Sequence, residues 1–257
     1  MSAVTSVPIS EILAYTNSVL KPENFQDYCP NGLQVAGKQN IKKIVSGVTA
    51  CQALLDAAIA ANADLILVHH GYFWKGEEQT IVSIKKRRLQ TLLVNDINLL
   101  AYHLPLDAHA SFGNNVQLAQ KMGWNITSGM GADVGQSIVL LGELDTPLTA
   151  QQLSEQINLK LARAPLCIEG HQRLIKKIAW CTGSAQSYIE QVASYGVDAF
   201  ISGEISEQTV HLARELGVTY FSAGHHATES YGVQALAEHL ADKFAIEHEF
   251  IDIANPV

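Results

Sequence analysis

At 257 residues, 47% of them hydrophobic, the chain has apolar material for one large domain or two ordinary ones, which excludes an intrinsically disordered polymer. Its 25 acidic against 17 basic side chains give a formal net charge of −8, which disfavours nonspecific wrapping of nucleic acid, since that binding runs on phosphate neutralisation. No apolar window reaches bilayer length and no cationic leader precedes one, so a soluble, unexported, cytoplasmic protein with no membrane association is expected.

In chain order, amphipathic segments alternate with short apolar runs, the rhythm of an α/β protein. The pattern predicts a helix over Ile9–Leu20, a strand over Ile44–Val48, a helix over Cys51–Ala61 and a strand over Leu65–Val68. A helix over Thr80–Asp96 follows, then a strand over Leu99–Tyr102, a helix over Val116–Met122 and a strand over Ile138–Leu141. The second half predicts helices over Ala150–Leu161, Ala185–Ser194, Glu207–Leu216 and Ser230–Lys243, and strands over Ile178–Cys181, Ala199–Ser202, Val218–Phe221 and Glu249–Ile253. The dense basic run Lys85-Lys86-Arg87-Arg88 reads as the solvated face of its helix, with phosphate contact as the functional alternative. Cys29, Cys51, Cys167 and Cys181 are scattered with no C-x-x-C pair, so they read as buried thiols rather than a disulfide framework or thiolate zinc site.

An internal repeat is visible. The segment IKKIVSGVTACQALLDAAIAANADLILVHH from Ile41 aligns without gaps to IKKIAWCTGSAQSYIEQVASYGVDAFISGE from Ile175, pairing Gln52 with Gln186 and Asp64 with Asp198. A shared hydrophobic pattern is common to all βαβ units, but an identical tetrapeptide at an identical offset favours duplication. The repeat equates His69-His70 with Gly203-Glu204, so polar groups gather at the carboxyl ends of strands, where open α/β sheets bind ligands. The Gly-rich stretch Gly129, Gly131, Gly135 marks the expected boundary between a first domain, 1–128 plus 223–257, and a second, 129–222. Its spacing does not match a dinucleotide fingerprint, and a strand follows it instead of preceding it.

Three clusters carry ligand-type residues. In LILVHHGYFWKG an apolar strand delivers His69 and His70; neighbours on a strand face opposite ways, so the chain must leave the strand there, a turn Gly71 permits. A pair of solvated histidines is the structural alternative. In YHLPLDAH, Pro105 bars a central strand and puts Asp107 in the loop beyond it, while His103 suits a ligand, a hydrogen-bond partner of a ligand, or a satisfied core group, the second being preferred. In GHHATESYG, a helix starting near His225 places His225 and Glu229 one turn apart, with His226 also within reach; an N-cap role for Thr228 and Glu229 competes.

Histidines and carboxylates without cysteine suit zinc, iron, manganese, nickel or cobalt better than calcium or magnesium. Four to six donors are too many for one tetrahedral ion, which points to two divalent metal ions, with Glu229 able to bridge them. No phosphate-binding P-loop, nucleophile elbow or H-E-x-x-H helix is present. Glu204 and His211 are candidate general acid or base residues, a solvated helix face explaining His211 equally well.

The motifs YCPNGLQVAG, LVHHGYFWKG, YHLPLDAH, SGEISE and GHHATESYG, in this order and spacing over nearly the whole chain, resemble those of the bacterial YbgI-like members of the Nif-three-like family, the GTP cyclohydrolase 1 type 2 homologues. The resemblance implies two similar, interlocked α/β domains with mixed sheets flanked by helices, a toroidal homohexamer, and a dinuclear metal centre. By motif, the implied ligands are His69, His70, Asp107, His225 and Glu229. Many relatives carry Pro where this chain has Gly71, a change beside the ligands and not of them. The expected function is a metal-dependent hydrolase using a metal-bridging hydroxide on a nucleotide-like or heterocyclic small molecule. The alternative is a non-catalytic protein that stores or delivers metal or serves as a partner platform.

Overall fold

A computed structural model describes residues 6–257. They form two compact units, one made by the chain up to Leu106 with Val233–Ala254, the other by Asp107–Gly232 with Asn255–Val257. No helix among the described residues is long and apolar enough to cross a membrane.

The first unit is built on a five-stranded sheet in the order Glu247–Phe250, Lys43–Thr49, Leu65–His70, Asn98–Ala101, Gly32–Val35. The first four strands are parallel and Gly32–Val35 closes the edge antiparallel. Leu65 to Val68 are wholly buried, as a central parallel strand covered on both faces requires. Helices Gln52–Ala60 and Ser83–Val94 bury Leu54, Leu55, Ala58, Leu89 and Leu92 against Val45, Ile66, Val68 and Leu99. The helix Ile9–Leu20 ends as expected, and Tyr15 on it reaches His239, oxygen to Nε2, at 2.7 Å.

The second unit carries a six-stranded mixed sheet ordered Asn125–Gly129, Leu140–Leu148, Ile175–Cys181, Ala199–Ser202, Thr219–Ser222, Leu166–Ile168. Its three central strands Ile175–Cys181, Ala199–Ser202 and Thr219–Ser222 are parallel; the flanking pairings are antiparallel. Trp180 is fully buried, and its indole N–H donates to the Asn115 carbonyl at 2.9 Å, which satisfies the one polar atom that burial would strand. The fold class is thus mixed α/β, sheets flanked by helices.

Several boundaries differ from the pattern reading for physical reasons. The strand expected over Ile138–Leu141 starts at Leu140 and runs to Leu148, through Gly142. Gly142 is required there because a Cβ would meet the Asn125 carbonyl oxygen and approach the Trp180 ring to 2.8 Å. Instead of a loop, Leu104–Ala108 is a short helix, in which Pro105 occupies the first turn, where no N–H is needed. The last long helix starts at His225, not Ser230, and runs to Phe244. The basic run is not uniformly solvated: Lys85 Nζ lies 5.5 Å from the Phe73 ring centre and the Arg88 guanidinium 6.0 Å from that of Tyr72.

The repeated Ile-Lys-Lys-Ile has a backbone explanation. In the first unit Asp64 Oδ2 accepts from the N–H of Lys42 at 2.9 Å and of Lys43 at 3.3 Å, while Lys38 Nζ reaches Oδ1 at 2.6 Å. In the second, Asp198 Oδ2 accepts from Lys176 and Lys177 N–H, both at 2.9 Å, and Arg173 Nε reaches Oδ1 at 3.0 Å. Each aspartate thereby ties the start of one central strand to the start of the next. Burial alone would raise the Asp198 carboxyl; the two backbone N–H groups and Arg173 outweigh it and hold it below the ordinary carboxylate value.

Asp198→Ala should therefore destabilise the second unit by about 2 kcal/mol, read as a lower denaturation midpoint. Because the folded-state value is depressed, the carboxylate's contribution is complete above its unfolded pKa and fades as pH falls through the folded value. The midpoint gap between the wild type and Asp198→Asn should accordingly be constant near neutrality and shrink below about pH 4.

Candidate metal centre

In the first unit the chemistry-bearing groups stand at the carboxyl ends of parallel strands. His69 and His70 are the last two residues of Leu65–His70, so both remain within the strand. Gly71 is needed for room and not for a left-handed turn: a Cβ there would strike the Gln34 amide oxygen and sit 2.6 Å from the Ala101 methyl. Gln34 uses that space, its oxygen accepting the Tyr72 N–H at 2.7 Å and its amide donating to the Tyr72 carbonyl at 3.1 Å. With the chain so held, the two imidazole centres are 4.5 Å apart despite their adjacent positions.

Each ring in this unit is anchored through Nδ1. His69, fully buried, has Nδ1 3.0 Å from the Tyr102 carbonyl oxygen, which can only accept, so Nδ1 carries a proton. His70 Nδ1 lies 3.1 Å from the Thr49 hydroxyl. His103 Nδ1 meets Asp27 Oδ1 at 2.7 Å. One ring nitrogen from each of His69, His70 and His103 falls within a common 4.8 Å.

Asp27 was not among the residues singled out from the sequence, although it directly precedes the YCPNGLQVAG motif. Its Oδ1 also accepts the Tyr28 N–H at 2.6 Å, and its Oδ2 accepts from Asn31 at 2.9 Å and the Leu104 N–H at 2.9 Å. Burial opposes its ionisation, but His103, Asn31 and the Tyr28 N–H together draw its carboxyl down to about 2.

In the second unit Asp107, His225 and Glu229 gather around the segment Cys181-Thr182-Gly183, again at the carboxyl end of a central strand. Asp107 is buried on the short helix; its Oδ1 accepts from Asn114 Nδ2 at 2.9 Å and from the Thr182 hydroxyl at 3.3 Å. Gly183, at φ 66°, donates its N–H to Thr228 Oγ1 at 3.1 Å. A Cβ on it would overlap the Glu229 carboxylate and lie 3.2 Å from His225 Nε2, so only glycine leaves this cradle open.

His225 is again held through Nδ1, here by Glu204 Oε1 at 2.6 Å, with Nε2 3.0 Å from Glu229 Oε2 one helical turn on. Burial lowers the basicity of the ring; hydrogen bonds and charge from Glu229 and Glu204 more than reverse this and bring it up to about 9. Glu204, the repeat partner of His70, is thereby placed as the group that orients His225. His211 sits apart from it on an exposed helix face, paired with Glu207 at 3.1 Å. His226 follows His225 in the first turn, its backbone N–H donating to the Val257 carbonyl at 3.0 Å.

These donors suit a divalent first-row ion. Imidazole nitrogens and carboxylate oxygens match zinc, iron, manganese, nickel or cobalt, whereas calcium and magnesium want oxygen alone. The four cysteines are free thiols, and burial raises Cys181 well above its ordinary value with the charges of Asp107 and Glu229 adding to the effect, so thiolate ligation is disfavoured.

The whole chain has close relatives. It is 54% identical over 251 residues to a protein of Pseudomonas aeruginosa named GTP cyclohydrolase 1 type 2 homolog, covering 98% of this chain and 99% of that one. A Vibrio cholerae protein of the same name is 53% identical over 249 residues, with 96% and 98% covered. The solved structure of protein ybgI, described as of unknown function, superposes with a TM-score of 0.94 at 47% identity, covering 98% of this chain and all of that one. The family profile described as Duf34/NIF3 (NGG1p interacting factor 3) matches residues 7–256, and the chain belongs to that family.

Proposed function

We propose that this protein is a metal-dependent hydrolase acting on a nucleotide-like or heterocyclic small molecule, with two divalent ions per chain held by His69, His70, Asp107, His225 and Glu229. The observation that carries the reading is the holding of His69, His70 and His225 through Nδ1 by neighbouring groups at strand ends, the way supporting groups orient metal-ligating histidines. The relatives' name, GTP cyclohydrolase 1 type 2 homolog, supports a nucleotide as the substrate class to test first. A pair of divalent ions supplies Lewis acidity and a lowered water pKa near neutrality.

The side chains have distinct tasks. Asp107 and Glu229 bring negative charge that offsets that of the ions, and their burial excludes competing water. Glu204 fixes the direction of His225, and the Tyr102 carbonyl fixes His69. A homohexamer is the assembly state we propose for the chain, and sedimentation giving any other stable size would refute it.

Elemental analysis of protein purified without added metal should find a first-row transition ion, rising to two ions per chain on reconstitution. His70→Ala and Glu229→Ala should each fall short of two ions and lose turnover against a nucleotide panel. Turnover that persists in metal-depleted variants would overturn the hydrolase mechanism, and full metal occupancy with no turnover on any substrate would favour storage or delivery.

Gly183→Ala removes no ligand, yet its Cβ must displace the Glu229 carboxylate. It should weaken metal binding by about tenfold or more, as disturbed supporting groups commonly do, and cost about 1–2 kcal/mol for the left-handed backbone. Competition against a chelator and thermal unfolding of the metal-free protein separate the two effects.

A further inference from the structure

The basic run Lys85-Lys86-Arg87-Arg88 is a sequence motif that the metal centre leaves unexplained. It lies in the first two turns of the helix Ser83–Val94, where the backbone already carries a positive partial charge and cations are unfavourable. The first turn of this helix has no acidic residue, and the preceding residue, Val82, has no side-chain oxygen to accept from the opening N–H groups.

Arg88 points to an acceptor independently. Its Nε is shut off from solvent yet meets no hydrogen-bond partner among the described residues. Its helix neighbours three and four positions away are Ile84, Lys85, Thr91 and Leu92, none of them acidic. The guanidinium instead lies 6.0 Å from the centre of the Tyr72 ring, a contact that recovers only part of what an unpaired, desolvated donor loses.

Arg88 and the helix start border one cleft of about 330 Å³, a volume typical of small-molecule sites. Its apolar lining comes from Tyr72, buried and tied by its hydroxyl to the Ala50 carbonyl at 2.8 Å, and from Val82 and Ile84, each 55% exposed. The two carboxylates of the lining are already engaged. Glu77 Oε2 accepts the Trp74 N–H at 3.0 Å and its Oε1 lies 3.4 Å from Lys85 Nζ, while Glu78 Oε1 accepts the Thr80 N–H and hydroxyl, both at 3.2 Å. Lys85 therefore balances Glu77, and Arg88 is left as the lining cation without a counter-charge.

We infer that this cleft binds an organic phosphate monoester, its dianionic head on the Arg88 guanidinium and the opening N–H groups of the helix, its apolar body against Tyr72, Val82 and Ile84. A phosphate suits the cleft better than a carboxylate, because a guanidinium fork and a helix start offer donors from two directions and together offset more than one negative charge. None of these residues belongs to the five-ligand set, so the inference stands whether or not the hydrolase reading does.

The test titrates the full chain, with the metal it carries when purified, by calorimetry at pH 8. The probe is phenylphosphonate, whose carbon–phosphorus bond a hydrolase acting on esters does not cleave. Saturable binding is expected, with inorganic phosphate, which lacks the apolar body, at least about tenfold weaker. Arg88→Gln should weaken phenylphosphonate at least about tenfold through loss of a charge-assisted bond and leave the metal content unchanged. Ile84→Glu places a carboxylate one turn before Arg88 and in the first turn of the helix, so it should raise the thermal midpoint while lowering affinity by a similar factor. That opposite movement of stability and binding distinguishes a ligand site from a merely structural arginine, and the exposed position 84 decides the matter if circular dichroism shows Arg88→Gln unfolded. Phenylphosphonate binding that survives both variants, binding no tighter than that of inorganic phosphate, or binding that disappears only when a chelator strips the metal would overturn the site.

Discussion

An imidazole has two nitrogens, and the hydrogen bond made by one decides what the other can do. In this protein His69, His70, His103 and His225 all engage a neighbour through Nδ1. The partners are chemically varied, a main-chain carbonyl, a hydroxyl and two carboxylates, yet each holds its ring at the same nitrogen. Each ring is thereby held in a fixed orientation through Nδ1. The direction in which each ring can meet a ligand follows from that single constraint, and it would not survive if the rings were free to flip.

The repeat explains where these groups come from. Asp64 and Asp198 fasten the starts of equivalent strands in the two units, so the carboxyl ends of those strands deliver equivalent positions. Thr49, which meets His70, corresponds to Gly183, which borders Glu229 and His225. His70 corresponds to Glu204, one a ring and the other the carboxylate that holds a ring. Two βαβ frames with matching aspartate anchors thus carry different groups at matching strand ends, an arrangement that strand-end sites allow because the sheet cores beneath them need not differ.

What could be read from the amino-acid order was local and periodic. The helices Ile9–Leu20, Ala150–Leu161 and Glu207–Leu216 match the pattern in both bounds because each has a clear apolar stripe and an abrupt end. The edge strands Gly32–Val35, Asn125–Gly129 and Leu166–Ile168 escaped notice, since half-exposed edges need no apolar run. Histidine and carboxylate candidates were visible as motifs, but Asp27 was not, because its role depends on a partner 76 positions away. Gly71 and Pro105 were legible as breakers and misread as to purpose: one makes room for Gln34, the other opens a helix. Glycine and proline announce a constraint in the sequence without saying whether it is conformational or steric.

Burial supplies the remaining step. Asp107 and Glu229 are 7% and 3% exposed, values at which a carboxylate is held only against a large desolvation cost. Both act on Cys181, whose thiol they help push upward, so their fields overlap in one interior region of the second unit. Hydrogen bonds from Asn114 and Thr182 support Asp107, and the His225 ring supports Glu229. A stability-driven sequence would replace such groups with apolar ones of similar volume, since that exchange is often neutral or favourable. Such carboxylates beside an oriented imidazole suit a cation-binding role, in which the metal-bound state would be more stable than the metal-free one by its binding free energy.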